Sequence, residues 1–300
     1  MVLSPPFLFL GLLQAYAVTA SWDTEQPSLE NAIEHDQRAE DSFMRDMIMI
    51  RTYQPTDIML QRMKKIQIDN PHREILIAVD TTNVNTSSLL LPSSSSSSTA
   101  IINTKDDPAE WTKRRQKDTE DRRAAISKAI AMFGKRVVIY TQQDVYSIFP
   151  GMKNLGGIVT LSYHDHCIYT VVKAWERRNG KSFAGHLWVL EDDVEFTASW
   201  SRLFDKYREY DFVAHRFSTY DRNWQKNHQY FGKQISPKFR SEFLMGLGYQ
   251  SYVFILEHVV KYSPAFLAKV FELLENGYHA RSEIGTGTFA TRLNFTYYNK

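Results

Sequence analysis

Two periodicities alternate along this chain. Short continuous apolar runs, of the kind a strand covered on both faces requires, occur at Ile75–Val79, at Arg136–Thr141 and at Leu187–Leu190. Helical patterns lie between them. Asp107-Pro108 opens a long helix, with Asp107 as N-cap and Pro108 at the first helical position. Its apolar stripe is Trp111, Ala125, Ile126, Ala129, Ile130 and Phe133, and Gly134 stops it. Ser162 to Arg178 reads as a second helix, with Ile168, Val171, Val172 and Trp175 on its apolar side. Strand, helix, strand, helix, strand predicts an α/β fold with a mostly parallel central sheet.

The alternation continues after the third strand. Ala198 to Tyr207 reads as a helix, Asp211 to His215 as a strand and Tyr249 to Leu256 as another. Ser263-Pro264 caps a helix that runs to about Asn276 and stops at Gly277, and the chain closes with Ser282-Glu283 and a turn rich in Gly and Thr, GTGTFAT. Arg216 to Arg240 has no clear period but carries Trp224, Tyr230 and Phe231, flat apolar rings that suit either stacking on a ligand in a functional loop or ordinary anchoring of the loop.

The first part of the chain divides differently. Pro6 to Ala20 is an apolar run ending in small residues, which reads as a signal peptide or signal-anchor over 1–20, short of the roughly 18 to 20 apolar residues that span a bilayer. Ser28 to Gln67 is helical and charged, with Pro55 as an interruption, so 21–72 reads as a helical stem and 73–300 as the catalytic domain. Within that domain the segment at about 83–106 contains the serine run Ser93 to Ser98 and cannot bury enough apolar surface to order itself. Asn85-Thr86-Ser87 and Asn294-Phe295-Thr296 are glycosylation sequons and agree with a lumenal or secreted protein.

Composition narrows the choice of partner. A 43% hydrophobic fraction over 300 residues supports a substantial core, and the formal net charge of +2 with interspersed signs offers no cationic face for nucleic acid. Cys167 is the only cysteine, inside an apolar helical pattern, so no internal disulfide can form and a buried small hydrophobe is expected.

The chemistry concentrates where the third strand ends. Glu191, Asp192 and Asp193 follow directly on its apolar run, and three adjacent carboxylates at the end of a core strand need a cation or a wet crevice. Ligands of open α/β sheets sit beyond the carboxyl ends of strands. The other reading of the triplet is a solvated acidic entry to a following helix.

Leu190-Glu191-Asp192-Asp193-Val194 resembles the acidic metal motif of GT-A fold glycosyltransferases. The run LEDDVEF, with Ser162-Tyr163-His164 upstream, is similar to the lipooligosaccharide and procollagen galactosyltransferases, and N-acetylglucosaminyltransferase I uses a similar triplet. The resemblance implies a GT-A-like, Rossmann-like α/β/α sandwich that transfers a sugar from a nucleotide-sugar donor to a hydroxyl of a glycan, glycoprotein or glycolipid, with Mn²⁺ or Mg²⁺. It implies an enzyme of the secretory pathway lumen (ER or Golgi) or a secreted one, with membrane anchoring through the N-terminal segment as the other arrangement. It further implies that Asp193 binds the metal, that Asp192 reaches the ion through water or phosphate, and that Glu191 bonds donor hydroxyls. Asp80, at the end of the first strand, would contact base or ribose, and Glu283 would be the base of an inverting reaction.

Other readings stand beside these. Asp80 with Thr81 and Thr82 also suits a simple turn, as do Gln142 and Asp144 after the second strand, and Glu283 also suits a surface helix or turn. Arg216 and Arg281 are candidates for neutralising a diphosphate. His164 and His166, two apart on a helix, diverge and do not face one ion. The alternative functions are a metal-dependent nucleotidyl or phosphoryl transferase, although no phosphate-binding glycine loop is evident, and a non-catalytic sugar-binding protein of the same fold.

Overall fold

Met47–Thr52, inside the predicted helical stem, is a strand at the centre of the sheet. The structure, a computed structural model, describes residues 46–82, 84, 108–156, 158–219, 233–244 and 253–298, with side chains of the long helix described from 116 and those of the fifth strand to 215. The signal-like segment, the first half of the predicted stem, the serine run, Asp107 and the Trp224, Tyr230 and Phe231 loop lie outside those residues.

In chain order the strand β1 (Met47–Thr52) is followed by α1 (Asp57–Asp69), β2 (Glu74–Asp80), α2 (Pro108–Phe133), β3 (Val137–Tyr140), α3 (Gln142–Ile148), the single turn α4 (Val159–Ser162), α5 (His164–Asn179) and β4 (Leu187–Glu191). Then come α6 (Trp200–Lys206), β5 (Phe212–Thr219), α7 (Pro237–Phe243), β6 (Val253–Tyr262), α8 (Pro264–Glu275), α9 (Ser282–Arg292) and β7 (Tyr297–Tyr298). The helical reading up to Gln67 therefore holds for α1, where Thr56 forms a capping box with Met59, and fails for β1. Its cause is tertiary: Met47–Thr52 pairs in parallel with β2 on one side and with β4 on the other, and Met47, Ile48 and Met49 are fully buried. The local sequence Met-Ile-Met-Ile has no alternation to announce this, because both faces are covered.

The sheet has seven strands in the order β3-β2-β1-β4-β6-β5-β7. β3, β2, β1 and β4 are mutually parallel, β6 runs antiparallel between β4 and β5, and β7 joins β5 in parallel. Helices cover both faces. On one, Met47, Met49, Leu187 and Val189 pack with Val171 of α5, Phe266 of α8 and Phe289 of α9. On the other, Ile48, Ile50, Trp188 and Leu190 pack with Leu60 and Met63 of α1, Ile126 of α2 and Phe204 of α6. Burying a side chain the size of Leu or Phe contributes about 1.5–3 kcal/mol, so the two-sided core explains why these strands read as continuous apolar runs. Cys167 is buried in the first of these cores, and burial pushes its thiol up to about 12, which leaves it an inert apolar filler.

The C-terminal segment corrects another expectation. Ser282 to Arg292, expected as a turn because of its Gly and Thr, is the buried helix α9. Its glycines serve packing: a Cβ on Gly287 would lie 2.8 Å from the backbone oxygen of Val253 and 2.8 Å from Cγ2 of Ile255. Helix and strand approach that closely only without a side chain there. By contrast α8 starts at Ser263, whose hydroxyl accepts from the Phe266 amide, and ends before Gly277 at φ 84°, as its caps predict.

Candidate functional site

Strand order reverses between β1 and β4. The chain builds outward from β1 through β2 to β3, then returns to lay β4 on the other side of β1. In a parallel sheet the connections leaving two such strands diverge to opposite sides and open a crevice at their carboxyl ends. Arg51 and Thr52 end β1, Glu191 ends β4, and Arg51 and Glu191 stand opposite each other in register.

The acidic triplet follows from Glu191, and its three members have three different environments. The Glu191 carboxylate is 2.5 Å from Nδ1 of His258. Burial alone would push this carboxyl up, but the His258 bond and the charge of Arg51 outweigh it, so Glu191 lies below the usual range. The same bond raises His258 above the usual imidazole range against the effect of its burial. Asp192, half-buried, accepts a hydrogen bond from the Thr52 hydroxyl, yet burial and the neighbouring Asp193 and Glu191 charges leave its carboxyl raised. Asp193 is exposed. The long helix entry that would make the triplet a plain N-terminal acidic cluster is missing at this point, since α6 begins only at Trp200.

A bulge in β6 completes this wall. Ala214 pairs with Val260 and Arg216 with Leu256, so Glu257, His258 and Val259 stand against His215 alone. A regular strand sends successive side chains to opposite faces. Glu257 continues the face of Val253 and Ile255, toward α5, where its Oε2 is 2.5 Å from Nδ1 of His164, while the adjacent His258 meets Glu191. Glu257 is only 5% exposed. Burial first, and then the Glu283 charge, push its carboxyl up to about 8, while burial and the Arg51 charge press His164 down to about 3.

Glu283, the candidate base, enters this neighbourhood from the first turn of α9. Its charge acts on both Glu257 and His164, and its carboxylate is paired with the Arg281 guanidinium, which also donates to Oε1 of Gln234 at 3.3 Å. The charges of Glu191 and Glu283 therefore both act on the buried Glu257 and His164 although nearly a hundred positions separate the two along the chain.

Asp80 lies at the carboxyl end of β2, two strands from β4. Its Oδ1 accepts from the Thr82 amide at 2.7 Å, the turn its sequence offered as the other reading. Arg122 of α2 fixes that turn by donating to the Asp80 and Thr82 carbonyls at 2.6 and 2.9 Å and to that of Tyr53 at 3.0 Å. Asp144 forms a capping box with Thr141 at the start of α3, and the Gln142 amide donates to Thr82. The two histidines of α5 diverge: His164 faces Glu257, and His166 meets Nδ1 of His279 at 3.0 Å. Asp165 between them accepts from the Tyr262 hydroxyl at 2.8 Å and from Thr286, which ties α5 to β6 and α9.

Sequence reasoning passed over Arg51, Thr52, Glu257, His258 and Arg122. A signal existed for the β6 pair: Glu257-His258 interrupts an otherwise apolar strand, VFILEHVV, where two consecutive polar residues cannot both lie on one solvent face without a bulge. Arg122 had no such signal, because it sits in a charged run, KRRQKDTEDRR, that reads as a solvated helix face.

As a metal centre the acidic triplet offers carboxylate oxygens, the donors that Mn²⁺ and Mg²⁺ prefer. Among the described residues no three His, Cys, Asp or Glu side chains converge to cage an ion. One exposed carboxylate such as Asp193 remains compatible with an ion completed by water and phosphate oxygens, the usual way Mg²⁺ is held beside nucleotides. Among the described residues no helix is long and apolar enough to cross a membrane. The fold and site define an α/β protein with a mixed, mostly parallel sheet and a cluster of carboxylates at the strand reversal. Compared with known protein families and with curated protein sequences, the chain matches none.

Proposed function

We propose that the protein is a GT-A-like glycosyltransferase that moves a sugar from a nucleotide-sugar to a hydroxyl of a glycan, glycoprotein or glycolipid in the secretory pathway or outside the cell, with Mn²⁺ or Mg²⁺. The observation that supports this best is the Glu191-Asp192-Asp193 triplet at the carboxyl end of β4, beside the strand reversal, with each carboxylate in a distinct environment. A structural cap would not need that division. In this reading Asp193 holds the ion, whose charge offsets the negative charge that develops on the diphosphate leaving group.

The remaining roles fall to side chains. Glu191, kept anionic by His258 and Arg51, accepts hydrogen bonds from donor hydroxyls. Asp192, restrained by Thr52, orders water or phosphate beside Asp193. Asp80 keeps one carboxylate oxygen in its turn and offers the other to base or ribose. Glu283 takes the proton of the acceptor hydroxyl as that oxygen attacks the anomeric carbon, which gives inversion, and the Arg281 guanidinium holds the Glu283 carboxylate in place.

Thermal unfolding across a panel of nucleotide-sugars, with and without Mn²⁺, tests this reading. A matching donor at a hundredfold its dissociation constant should add about 2.7 kcal/mol to stability, only with metal, and Asp193→Ala should abolish the gain. A panel without any metal-dependent gain, or an Asp193→Ala protein that keeps it, overturns the assignment.

A further inference from the structure

The β6 bulge holds a set of buried polar atoms that the proposed roles leave unused. Both carboxylate oxygens of Glu257, Nδ1 of His164 and Nε of Arg51 are buried without a hydrogen bond. Glu257 and His164 nevertheless approach to 2.5 Å. A contact this short between buried groups needs a proton between them, and the uncharged pair, a carboxylic acid donating to a neutral imidazole nitrogen, supplies it without placing an ion in the interior. An ionised Glu257 would instead leave a buried charge whose oxygens accept nothing, among the costliest arrangements in a protein interior.

The surroundings say what this neutral acid is for. The charges of Glu191 on β4 and Glu283 on α9 both bear on Glu257, so the side chain assigned to the donor and the one assigned to the acceptor share this third carboxylate as a neighbour. Three adjacent negative charges would force a proton onto one of them. Arg51 from β1 and Arg281 from α9 supply positive charge, His258 on β6 is engaged by Glu191, and Asp165 on α5 and Tyr262 on β6 lie behind. Two guanidiniums balance two carboxylates, and Glu257 is the one without a bond of its own.

We propose that Glu257 is a positioning residue of the transfer site: as a neutral carboxylic acid hydrogen-bonded to His164, it anchors the site without adding a third negative charge beside Glu191 and Glu283. This inference rests on the glycosyltransferase reading for its function, though not for the protonation itself. Ionisation of Glu257 adds a negative charge that both functional carboxylates feel, so transfer declines as pH rises through about 8.

Glu257→Gln, a neutral isostere that still donates to His164, and Glu257→Ala decide the matter, each measured over about pH 6 to about pH 9.5 for donor-dependent transfer, donor KM and thermal stability. The wild type should lose kcat by about tenfold per pH unit on the alkaline side, whereas Glu257→Gln keeps its neutral-pH kcat within about threefold and lacks that limb. Glu257→Ala should lower kcat by about tenfold or more at every pH with little change in donor KM, the mark of lost organisation rather than lost binding.

Stability supplies a readout that needs no substrate. A carboxyl raised from its ordinary range to about 8 makes the wild type lose stability as pH rises between those values, so Glu257→Gln should gain over the wild type from acid to pH 8 and then run parallel to it. An unchanged alkaline limb in Glu257→Gln, or a kcat as low as that of Glu257→Ala, overturns the positioning role while metal-dependent donor binding still upholds the function. Parallel stability curves from acid to alkali overturn the neutral acid itself. If no donor binds, the positioning role falls with the function, and the stability curves alone decide the protonation state.

Discussion

Replacing Gly287 with Ala should destabilise the protein although it puts a better helix former into a helix. In an open helix interior the change would gain about 0.5–1 kcal/mol, the conformational freedom that glycine loses on folding. At Gly287 the new Cβ would meet the Val253 backbone oxygen at 2.8 Å, Cγ2 of Ile255 at 2.8 Å and Cγ1 of Val253 at 3.1 Å. The carbonyl belongs to β6 and cannot rotate away, so helix and strand must separate. Overpacking of that kind costs about 1–3 kcal/mol, and with a backbone contact the upper part of that range applies. The net loss should be about 1–2 kcal/mol, or a fall of about 2–8 °C in Tm for a domain of this size. Gly285→Ala is the internal control: its Cβ meets only the Ala280 methyl closely, at 3.3 Å, so the propensity gain and a small adjustment should nearly cancel. Urea denaturation of both variants measures the difference. A Gly287→Ala protein as stable as the wild type would refute close helix-to-strand packing as the reason for that glycine.

Arg73 is buried, donates to Asp205 at 2.5 Å and to Asn70 at 3.0 Å, and lies near the buried Asp46, which Arg208 also faces, so Arg73→Ala should cost about 1.5–3 kcal/mol through the lost charge-assisted hydrogen bonds. Chemical denaturation reads this directly, and a loss below about 1 kcal/mol would show that the pair behaves as a surface one. His166 and His279 are both held below the usual imidazole range by burial, His279 down to about 4, and Phe149 packs edge-on against both rings. A depressed histidine means that the unfolded chain binds the extra proton, so this pair's contribution is present above pH 6.5 and is lost as pH falls toward 4. Asp165, raised to about 6, slopes the other way over part of that window, so the informative quantity is the difference between the wild type and His279→Gln in stability against pH. Identical slopes in the two proteins would remove the histidine pair as an acid-sensitive element.

The sheet was largely legible in the sequence because most of its strands are continuous apolar runs closed by polar turns, and the helices between them carry recognisable caps. β1 was the exception. Met47–Thr52 lies in a charged, methionine-rich stretch whose spacing also satisfies a helix, and only the strands on either side, β2 and β4, decide its conformation. α9 was missed for the opposite reason: glycine and threonine disfavour a helix locally, but Gly287 admits β6, and the Thr286 and Thr288 hydroxyls are taken up by Asp165 and the Val253 amide. At the site the triplet was visible because three adjacent carboxylates after an apolar run are conspicuous. Its supports, Thr52, His258 and Glu257, come from other strands and acquire meaning only through register and a bulge, which no local pattern encodes.

The central position of β1 also sets an order of events for a chain made from its N-terminus. β1 gains β2 as a neighbour early, but its other edge waits for β4, which follows the whole of α2, β3 and α5. Through that interval the newborn chain carries an apolar strand with one row of backbone donors and acceptors unanswered, a template for pairing with another copy. A chain shortened to start at Arg73 would make that condition permanent for β2 and β4, both of which would lose their shared partner. The segment that reads as a stalk is therefore, from Met47 onward, the strand on which the two halves of the sheet are joined.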